Sequence, residues 1–244
     1  MRDRTMDPNQ SGVVTAIAIH GLPEFKKGDP IADIVIQNTT LNHHDVIVVT
    51  SKIVSKVEGR IIQAPNDGFT PEEIHAIIIG ESRRVLRQRG QLVITETQGG
   101  FVCANAGIDQ SNMPDGSICL LPADPDRSAR RIRDRIKALI GIDVAVIISD
   151  TFGRAWRRGV TDIALGSAGI GPISDLRGTL DSNGRPLVAT EIAIVDEIAA
   201  TAELTKPKSG AIPVVIVRGI DPSHFREGSV KDEIIRPYGE DLFR

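Results

Sequence analysis

The chain has little cysteine and no long hydrophobic run. Only two of its 244 residues are cysteines, Cys103 and Cys119, and they form neither a C-x-x-C pair nor a disulfide framework. No apolar stretch reaches the roughly 18 residues of a membrane-spanning helix. The polar residues 1–12 lack the apolar centre of a signal peptide. These features predict a cytoplasmic protein with reduced, buried thiols and no membrane partner.

A strong charge imbalance is absent as well. The formal net charge is −3, from 29 Lys and Arg against 32 Asp and Glu. This balance argues against broad binding of nucleic acid and favours small-molecule chemistry. The 41% hydrophobic content is typical of a globular protein with one large core or two smaller ones. We expect a polar extension over residues 1–12 and one domain over residues 13–244, built as a single unit or from two subdomains.

Several common site motifs are missing too. The sequence contains no GxxxxGK[ST], no HExxH among its five histidines and no GxSxG. These absences argue against a P-loop NTPase, a zinc hydrolase and a serine hydrolase. A glycine-rich run at residues 166–171 has the wrong glycine order for dinucleotide binding and is interpreted as a loop or turn.

Periodicity predicts that strands and helices alternate along the chain. Strands are expected over residues 13–20, 45–50, 92–95, 101–104, 117–121, 144–148 and 214–217, and helices over residues 31–37, 70–89, 126–139 and 187–204. The helix at residue 70 has the clearest start, because Thr70, Pro71 and Glu73 form a capping box with proline at the first helical position. The Asn-Gly pair within residues 180–185 predicts a tight turn. Hairpins mixed with crossovers favour an α+β fold, a mixed β-sheet with flanking helices.

The segment SDTFGRAWRRG, residues 149–159, follows the apolar run 144–148 directly. Ligands of open α/β sheets usually lie at such strand ends. Asp150 and Thr151 can offer oxygen atoms to Mg²⁺ or Mn²⁺, whereas Arg154, Arg157 and Arg158 can clamp phosphate oxygens. This combination predicts phosphate chemistry.

Other segments share this logic less specifically. Asp109, within AGIDQSN, also follows an apolar strand directly. An Asp-x-x-Asn sequence is usually only a turn. Because two aspartates of this chain stand at strand ends, a turn and a metal site are about equally credible here. Lys52 and Lys56 follow a buried strand and can be aimed at phosphates, although such lysines are more often solvated. The loop GLPEF at residues 21–25 can wall a base or sugar, or simply pack. The loop KPKSGAIP at residues 206–213 is, by itself, a basic connection.

Taken together, these motifs resemble the coenzyme F420 γ-glutamyl ligases. The shared order is GLPxF, SKxVSKxEGR, AGIDxSN, SDTFGRxWRxG and GxxPVVxVRG, which covers roughly residues 13–220. The resemblance implies an intertwined homodimer with that family's α+β fold and a ligase domain that stands alone. It implies transfer of L-glutamate to F420-0, and then of γ-linked glutamate, with GTP converted to GDP and phosphate. Mg²⁺ or Mn²⁺ is implied, as two ions, with K⁺ as a further candidate.

The resemblance also assigns residues. It implies metal ligation by Asp109, Asp150 and Thr151. It implies GTP contacts from Leu22, Pro23, Glu24, Phe25, Ser51, Lys52, Lys56, Asn112, Lys206, Pro207, Lys208, Ser209, Gly210, Ala211, Ile212 and Pro213. We expect catalytic roles for Lys56, Asp109, Asp150 and Arg154, and acceptor binding by Arg154, Arg157 and Arg158.

Two positions depart from the family pattern. The family also uses an uncharged residue at the position of Lys52. Lys208 stands where the family has a glutamine that reaches a metal, and a protonated lysine has no acceptor atom. This altered loop keeps a second hypothesis open, a paralogous ligase acting on another phosphorylated or carboxylated acceptor. A non-catalytic nucleotide-binding protein of the same fold is a third, although the retained aspartates, Thr151 and arginines argue against it.

Overall fold

A five-stranded sheet lies at the centre of the computed structural model, which describes residues 12–66, 68–110, 116–207 and 210–242. With strands numbered in chain order, the sheet reads β1 (Thr15–Ala18), β12 (Val214–Arg218), β2 (Val46–Thr50), β8 (Ala145–Gly153) and β9 (Val160–Ala168). β2 and β8 run parallel, while the other neighbours run antiparallel. The predicted mixed sheet is confirmed.

Helices cover both faces of this sheet. They are α1 (Ile31–Asn38), α2 (Ser51–Glu58), α4 (Pro125–Ile140), α5 (Ile194–Glu203) and the short α6 (Val230–Glu233). Because side chains alternate along a strand, Ile47 faces α1, α2 and α4, whereas its neighbour Val48 faces α5. Both are fully buried. The α+β class with flanking helices is therefore confirmed.

Smaller sheets surround the central one. They are β4 (Ser82–Arg89) with β5 (Leu92–Thr97) and β6 (Val102–Ala104), β3 (Ile61–Ile62) with β7 (Ile118–Cys119), and β10 (Ile173–Asp175) with β11 (Glu191–Ala193). Helix α3 (Pro71–Gly80) packs Ile78 against Val93 and Ala106 in a cluster of its own. The expected number of subdomains and the homodimer both stay predictions.

The predicted helix over residues 70–89 is correct only in its first half. The capping box forms, with the Thr70 amide donating to Glu73 Oε2 at 2.8 Å and the Glu73 amide donating to Thr70 Oγ1 at 3.2 Å. The helix ends at Gly80, and residues 82–89 form β4 instead. Gly90, at φ +59°, turns the chain so that β4 pairs with β5. This tertiary pairing outweighs the local helical pattern.

Three other boundaries were also wrong. The helix predicted over 187–204 begins only at Ile194, because residues 191–193 pair with β10 as β11. The glycine-rich run at 166–171 is not all loop, since residues 166–168 belong to β9. The strand predicted to end at residue 148 continues to Gly153, because β9 pairs with it along that whole length.

The remaining predicted strands and helices lie within a few residues of their expected positions, and the turn over 180–185 is confirmed by a bridge between Leu180 and Pro186. Cys103 and Cys119 are buried free thiols, as predicted. Burial, reinforced by the nearby charge of Asp150, raises the pKa of Cys103 to about 12. Within the described ranges, no helix is both long and apolar enough to cross a membrane.

Candidate active site

A cavity of about 420 Å³ opens where the parallel strands β2 and β8 reach the same edge of the sheet. Thr50, the last residue of β2, pairs with Ser149 of β8, so Asp150 and Thr151 extend beyond the end of β2. The cavity is lined by Leu22, Pro23, Glu24, Phe25, Thr50, Ser51, Lys52, Ile53, Lys56, Asp109, Ser149, Asp150, Thr151, Asp162, Glu203, Lys206, Pro207, Ala211, Ile212 and Pro213. Five segments that the sequence singled out therefore meet here.

Asp150 carries a carboxyl group in the cavity wall whose pKa is strongly raised. Burial raises its pKa to about 6, and the charges of Asp162 and Asp109 act in the same direction. Hydrogen bonds from Ser51 and from the Thr151 amide, the latter at 2.8 Å, act against this shift. An ionised Asp150 therefore costs free energy in the absence of a cation.

Asp109 reaches the same cavity from a different segment. It follows a short 3₁₀ turn (Asn105–Gly107) and is held by two backbone hydrogen bonds with Cys119, of 2.9 and 2.8 Å. Its carboxylate forms an ion pair with Lys52, with 2.6 Å between Oδ2 and Nζ. The two aspartates predicted to flank a cation are therefore brought to one cavity.

Lys52 and Lys56 lie on helix α2, which begins immediately after β2. The sequence placed them at a strand exit, and a four-residue spacing on a helix now explains why both face the cavity. Lys56 pairs with Glu24 of the loop that forms the opposite wall. Thr50, Ser51 and Lys52 place the positive end of the α2 dipole at the cavity, an arrangement that favours anions.

Two polar residues of the cavity, Asp162 and Glu203, were missed by the sequence analysis. Asp162 on β9 binds Lys206 and the hydroxyl groups of Ser149 and Thr151. Glu203, at the end of α5, accepts a 2.8 Å hydrogen bond from the Asp162 amide. Only the pairing of β8 with β9 brings Asp162 opposite Thr151, and no motif in the sequence signals that register.

The predicted arginines occupy a different place. Arg154, Arg157 and Arg158 are exposed in the turn between β8 and β9, and none of them lines the cavity. Gly210 also lies outside the lining. Their roles stay predictions. Three other expected GTP contacts, Asn112, Lys208 and Ser209, fall outside the described residues.

Carboxylates, lysines, hydroxyls and a helix N-terminus thus converge on one cavity at the end of a parallel strand pair. Oxygen ligands suit hard divalent cations, while ammonium groups and free helix amides suit phosphate oxygens. The fold and the cavity define the class of α+β proteins that carry a charged, polar cavity at the edge of a mixed sheet.

Comparison with known proteins narrows this class. Residues 20–219 match the model of the F420-0:gamma-glutamyl ligase family. Coenzyme F420:L-glutamate ligase of Methanopyrus kandleri is 38% identical, covering 96% of this chain and 100% of that protein. The proteins of the same name from Methanothermobacter thermautotrophicus and Archaeoglobus fulgidus are each 40% identical, covering 95% of this chain and 99% and 96% of their own. The chain belongs to the F420-0:gamma-glutamyl ligase family, as the motifs predicted.

Proposed function

We propose that the protein is a GTP-dependent ligase that joins L-glutamate to F420-0 and then adds γ-linked glutamate. The near full-length similarity to proteins named coenzyme F420:L-glutamate ligase supports the acceptor and the amino acid. The observation that carries the proposal is the convergence of Asp109, Asp150, Thr151 and Lys56 on one cavity. These residues come from separate segments, and together they suit phosphoryl transfer.

A divalent cation, Mg²⁺ or Mn²⁺, fits the oxygen atoms of this cavity. Asp109 and Asp150 offer carboxylates and Thr151 a hydroxyl. Burial, with a smaller effect from the charges of Asp162 and Asp109, raises the pKa of Asp150, and a bound cation would stabilise its ionised form. No cluster of three or more His, Cys, Asp or Glu side chains among the described residues forms a metal cage by itself. Mg²⁺ is commonly held by one or two carboxylates together with substrate phosphates and water. We therefore assign the cation to a shared site between protein and nucleotide, where it would neutralise developing charge on phosphate oxygens.

The nucleotide would lie along helix α2. Ser51, Lys52 and Lys56, with the positive end of the helix dipole, offer donors and charge to the phosphates. The apolar side chains of Leu22, Pro23 and Phe25 form one wall, while Ala211, Ile212 and Pro213 are also in the lining. These two loops are where a base and sugar would pack. Lys206 would contribute a further N–H donor from the second loop.

The chain's part in the reaction is mainly positioning and charge stabilisation. A carboxylate of the acceptor attacks the γ-phosphorus, GDP leaves, and the amine of glutamate then displaces phosphate from the acyl phosphate. Lys56 would stabilise negative charge on the transferred group, and Asp109 and Asp150 would hold a cation whose charge would stabilise the same group. Arg154, with Arg157 and Arg158, would hold the anionic part of the acceptor outside the cavity proper.

The direct test is a reaction of purified protein with GTP, Mn²⁺, L-glutamate and F420-0, followed by mass spectrometry. The expected products are F420 species heavier by one or more glutamyl residues, together with one GDP for each glutamyl residue added. Replacing GTP by ATP tests the nucleotide, and offering other phosphorylated carboxylates tests the paralogue hypothesis. Glutamylation of another acceptor but not of F420-0 would contradict the proposal, as would GTP hydrolysis without an amide product.

We further propose that the protein is a homodimer. Trp156, in the turn between β8 and β9, is 89% exposed, and Val188 is 84% exposed. Tryptophan is enriched at protein interfaces, so Trp156 is the first candidate for a contact between two copies of the chain. Light scattering after gel filtration should give twice the chain mass, and Trp156→Glu should shift the protein toward the monomer. A monomeric wild-type protein would contradict this proposal.

A further inference from the structure

Asp162 is the centre of a buried polar network beneath the proposed cation site. Its residue exposure is 3%, and its carboxylate accepts hydrogen bonds from the hydroxyls of Thr151, at 2.7 Å, and Ser149, at 3.0 Å. The Lys206 ammonium pairs with the same carboxylate and lies 3.3 Å from the Ser149 hydroxyl. Asp162 is thus bound to Thr151, which the proposed function assigns to the metal, and to Lys206, which it assigns to the nucleotide.

The direction of these hydrogen bonds follows from chemistry. An ionised carboxylate only accepts hydrogen bonds, so the Thr151 hydroxyl must donate its hydrogen to Asp162. The lone pairs of the hydroxyl oxygen are then directed away from Asp162. A hydroxyl that has donated its hydrogen to a carboxylate is also a better electron donor to a cation.

The strands fix this geometry. Thr151 and Asp162 are direct cross-strand partners in the β8–β9 pair, and Ser149 lies on the same side of β8 as Thr151. A register irregularity between Ile148 and Ser149 determines which β9 residue each following residue of β8 pairs with. Asp162 is also held through its amide, which donates to Glu203. The backbone of Asp162 is therefore held both by its partner strand β8 and by helix α5.

We propose that Asp162 is a positioning residue that orients the Thr151 hydroxyl toward the cation and fixes Lys206 at the cavity wall. This inference rests on the proposed function, since it assumes a cation at Thr151. Lys206 balances the charge of Asp162, so the network orients the site without adding an unpaired carboxylate to the cavity. Asp162 itself acts through Thr151 and Lys206.

The test compares two neutral replacements in one background. The background is Lys206→Met, because an unchanged Lys206 would lose its charged partner when Asp162 is replaced. In this background Asp162→Asn keeps an acceptor oxygen opposite Thr151, whereas Asp162→Ala does not. Both variants lose the same charge. Binding of Mn²⁺ alone is measured by the loss of the free-ion EPR signal, with folding checked by circular dichroism.

The Asn variant should bind Mn²⁺ about 10-fold or more tightly than the Ala variant. When Thr151→Val is added to each variant, the difference in Mn²⁺ affinity between the Asn and the Ala protein should vanish, because the side chain at position 162 then has no hydroxyl to orient. Equal affinities of the first pair would overturn the proposal. A difference that persists without the Thr151 hydroxyl would overturn it as well, since it would indicate a merely structural role.

The matched control is Asp196→Asn. Asp196 on α5 is another buried aspartate bound to β9, where it accepts a 2.9 Å hydrogen bond from the Ala164 amide, and it does not line the cavity. This variant keeps an acceptor oxygen for the Ala164 amide and should leave Mn²⁺ affinity unchanged. If the wild-type protein binds no Mn²⁺ either alone or together with GTP, the metal site of the proposed function is overturned, a result distinct from a failure of Asp162 alone.

Discussion

Lys52 and Asp109 form an ion pair in the cavity wall, with 2.6 Å between Nζ and Oδ2. The ammonium therefore neutralises a carboxylate that the proposed function assigns to a cation. Both side chains are partly exposed, at 23% and 39%, so solvent weakens their attraction. A metal that binds Asp109 has to compete with this ammonium, which is then available to the phosphates.

Lys52→Met should tighten Mn²⁺ binding in the absence of nucleotide by about 3- to 10-fold, which corresponds to roughly 1 kcal/mol for a partly exposed pair. The same variant should raise KM for GTP, because a phosphate partner is lost. EPR titration and steady-state kinetics measure the two effects. Lys137→Met is the control, since it removes an exposed ion pair with Asp143 on the surface. Weaker Mn²⁺ binding by Lys52→Met would contradict the competition between the Lys52 ammonium and the cation for Asp109.

Asp150→Asn should abolish most ligase turnover while stabilising the fold at neutral pH. The folded-state pKa of Asp150 is raised to about 6 from 3.8, so the folded protein binds this proton more tightly than the unfolded chain does. Stability is consequently lost as the pH rises between about 4 and 6, by roughly 1–3 kcal/mol. The variant should escape that loss.

Denaturant unfolding of both proteins between pH 4 and pH 7.5 measures this effect. The stability advantage of Asp150→Asn should grow up to about pH 6 and then stay constant. A difference in unfolding free energy that does not change with pH would refute the link between the protonation of Asp150 and stability. Saturating Mn²⁺ should narrow the difference at pH 7.5, because the cation stabilises the ionised carboxylate of the wild-type protein.

Most of the cavity could be predicted from the sequence because its residues stand directly beside apolar strands. Asp150, Thr151 and Ser51 follow runs of buried residues that are recognisable by composition alone. Asp162 could not be found in this way. Its position depends on the antiparallel register of β8 and β9, which is a property of two strands and of the irregularity after Ile148.

Helix and strand boundaries failed where pairing outweighs local pattern. Residues 82–89 alternate between partly buried and exposed positions over part of their length, yet the preceding helix pattern made them look continuous with α3. Residues 191–193 likewise pair with β10 before α5 begins. In both cases a partner strand elsewhere in the chain supplies the hydrogen bonds that decide the conformation.

Gly166→Ala should destabilise the protein severely. A β-carbon at this position would lie 2.2 Å from the carbonyl carbon of Pro125, at the start of α4, and backbone cannot yield as a flexible side chain can. We expect a loss of about 2–4 kcal/mol in the free energy of unfolding, from overpacking. Urea denaturation measures it. Gly153→Ala, at a strand position with nothing within 4 Å, should stay within about 0.5 kcal/mol of the wild type.

Arg154→Ala tests whether the turn between β8 and β9 binds the acceptor. Arg154 is exposed and lies outside the cavity lining, so its removal should leave the phosphate-binding wall around Lys56 intact. We expect KM for F420-0 to rise about 10-fold or more, as for loss of a charge-assisted contact, while the Kd for GTP stays within about 2-fold.

Kinetics with varied F420-0 and calorimetry with GTP separate these two constants. Arg130→Ala, which removes another exposed arginine from α4, is the control for net charge. If both variants raise KM for F420-0 equally, the effect is general electrostatic attraction. If Arg154→Ala weakens GTP instead, the turn must fold over the cavity during catalysis, and the arginines then belong with the phosphates. Only a selective effect on F420-0 supports the division in which Asp150 and Thr151 serve the cation and the arginines of the same motif serve the acceptor.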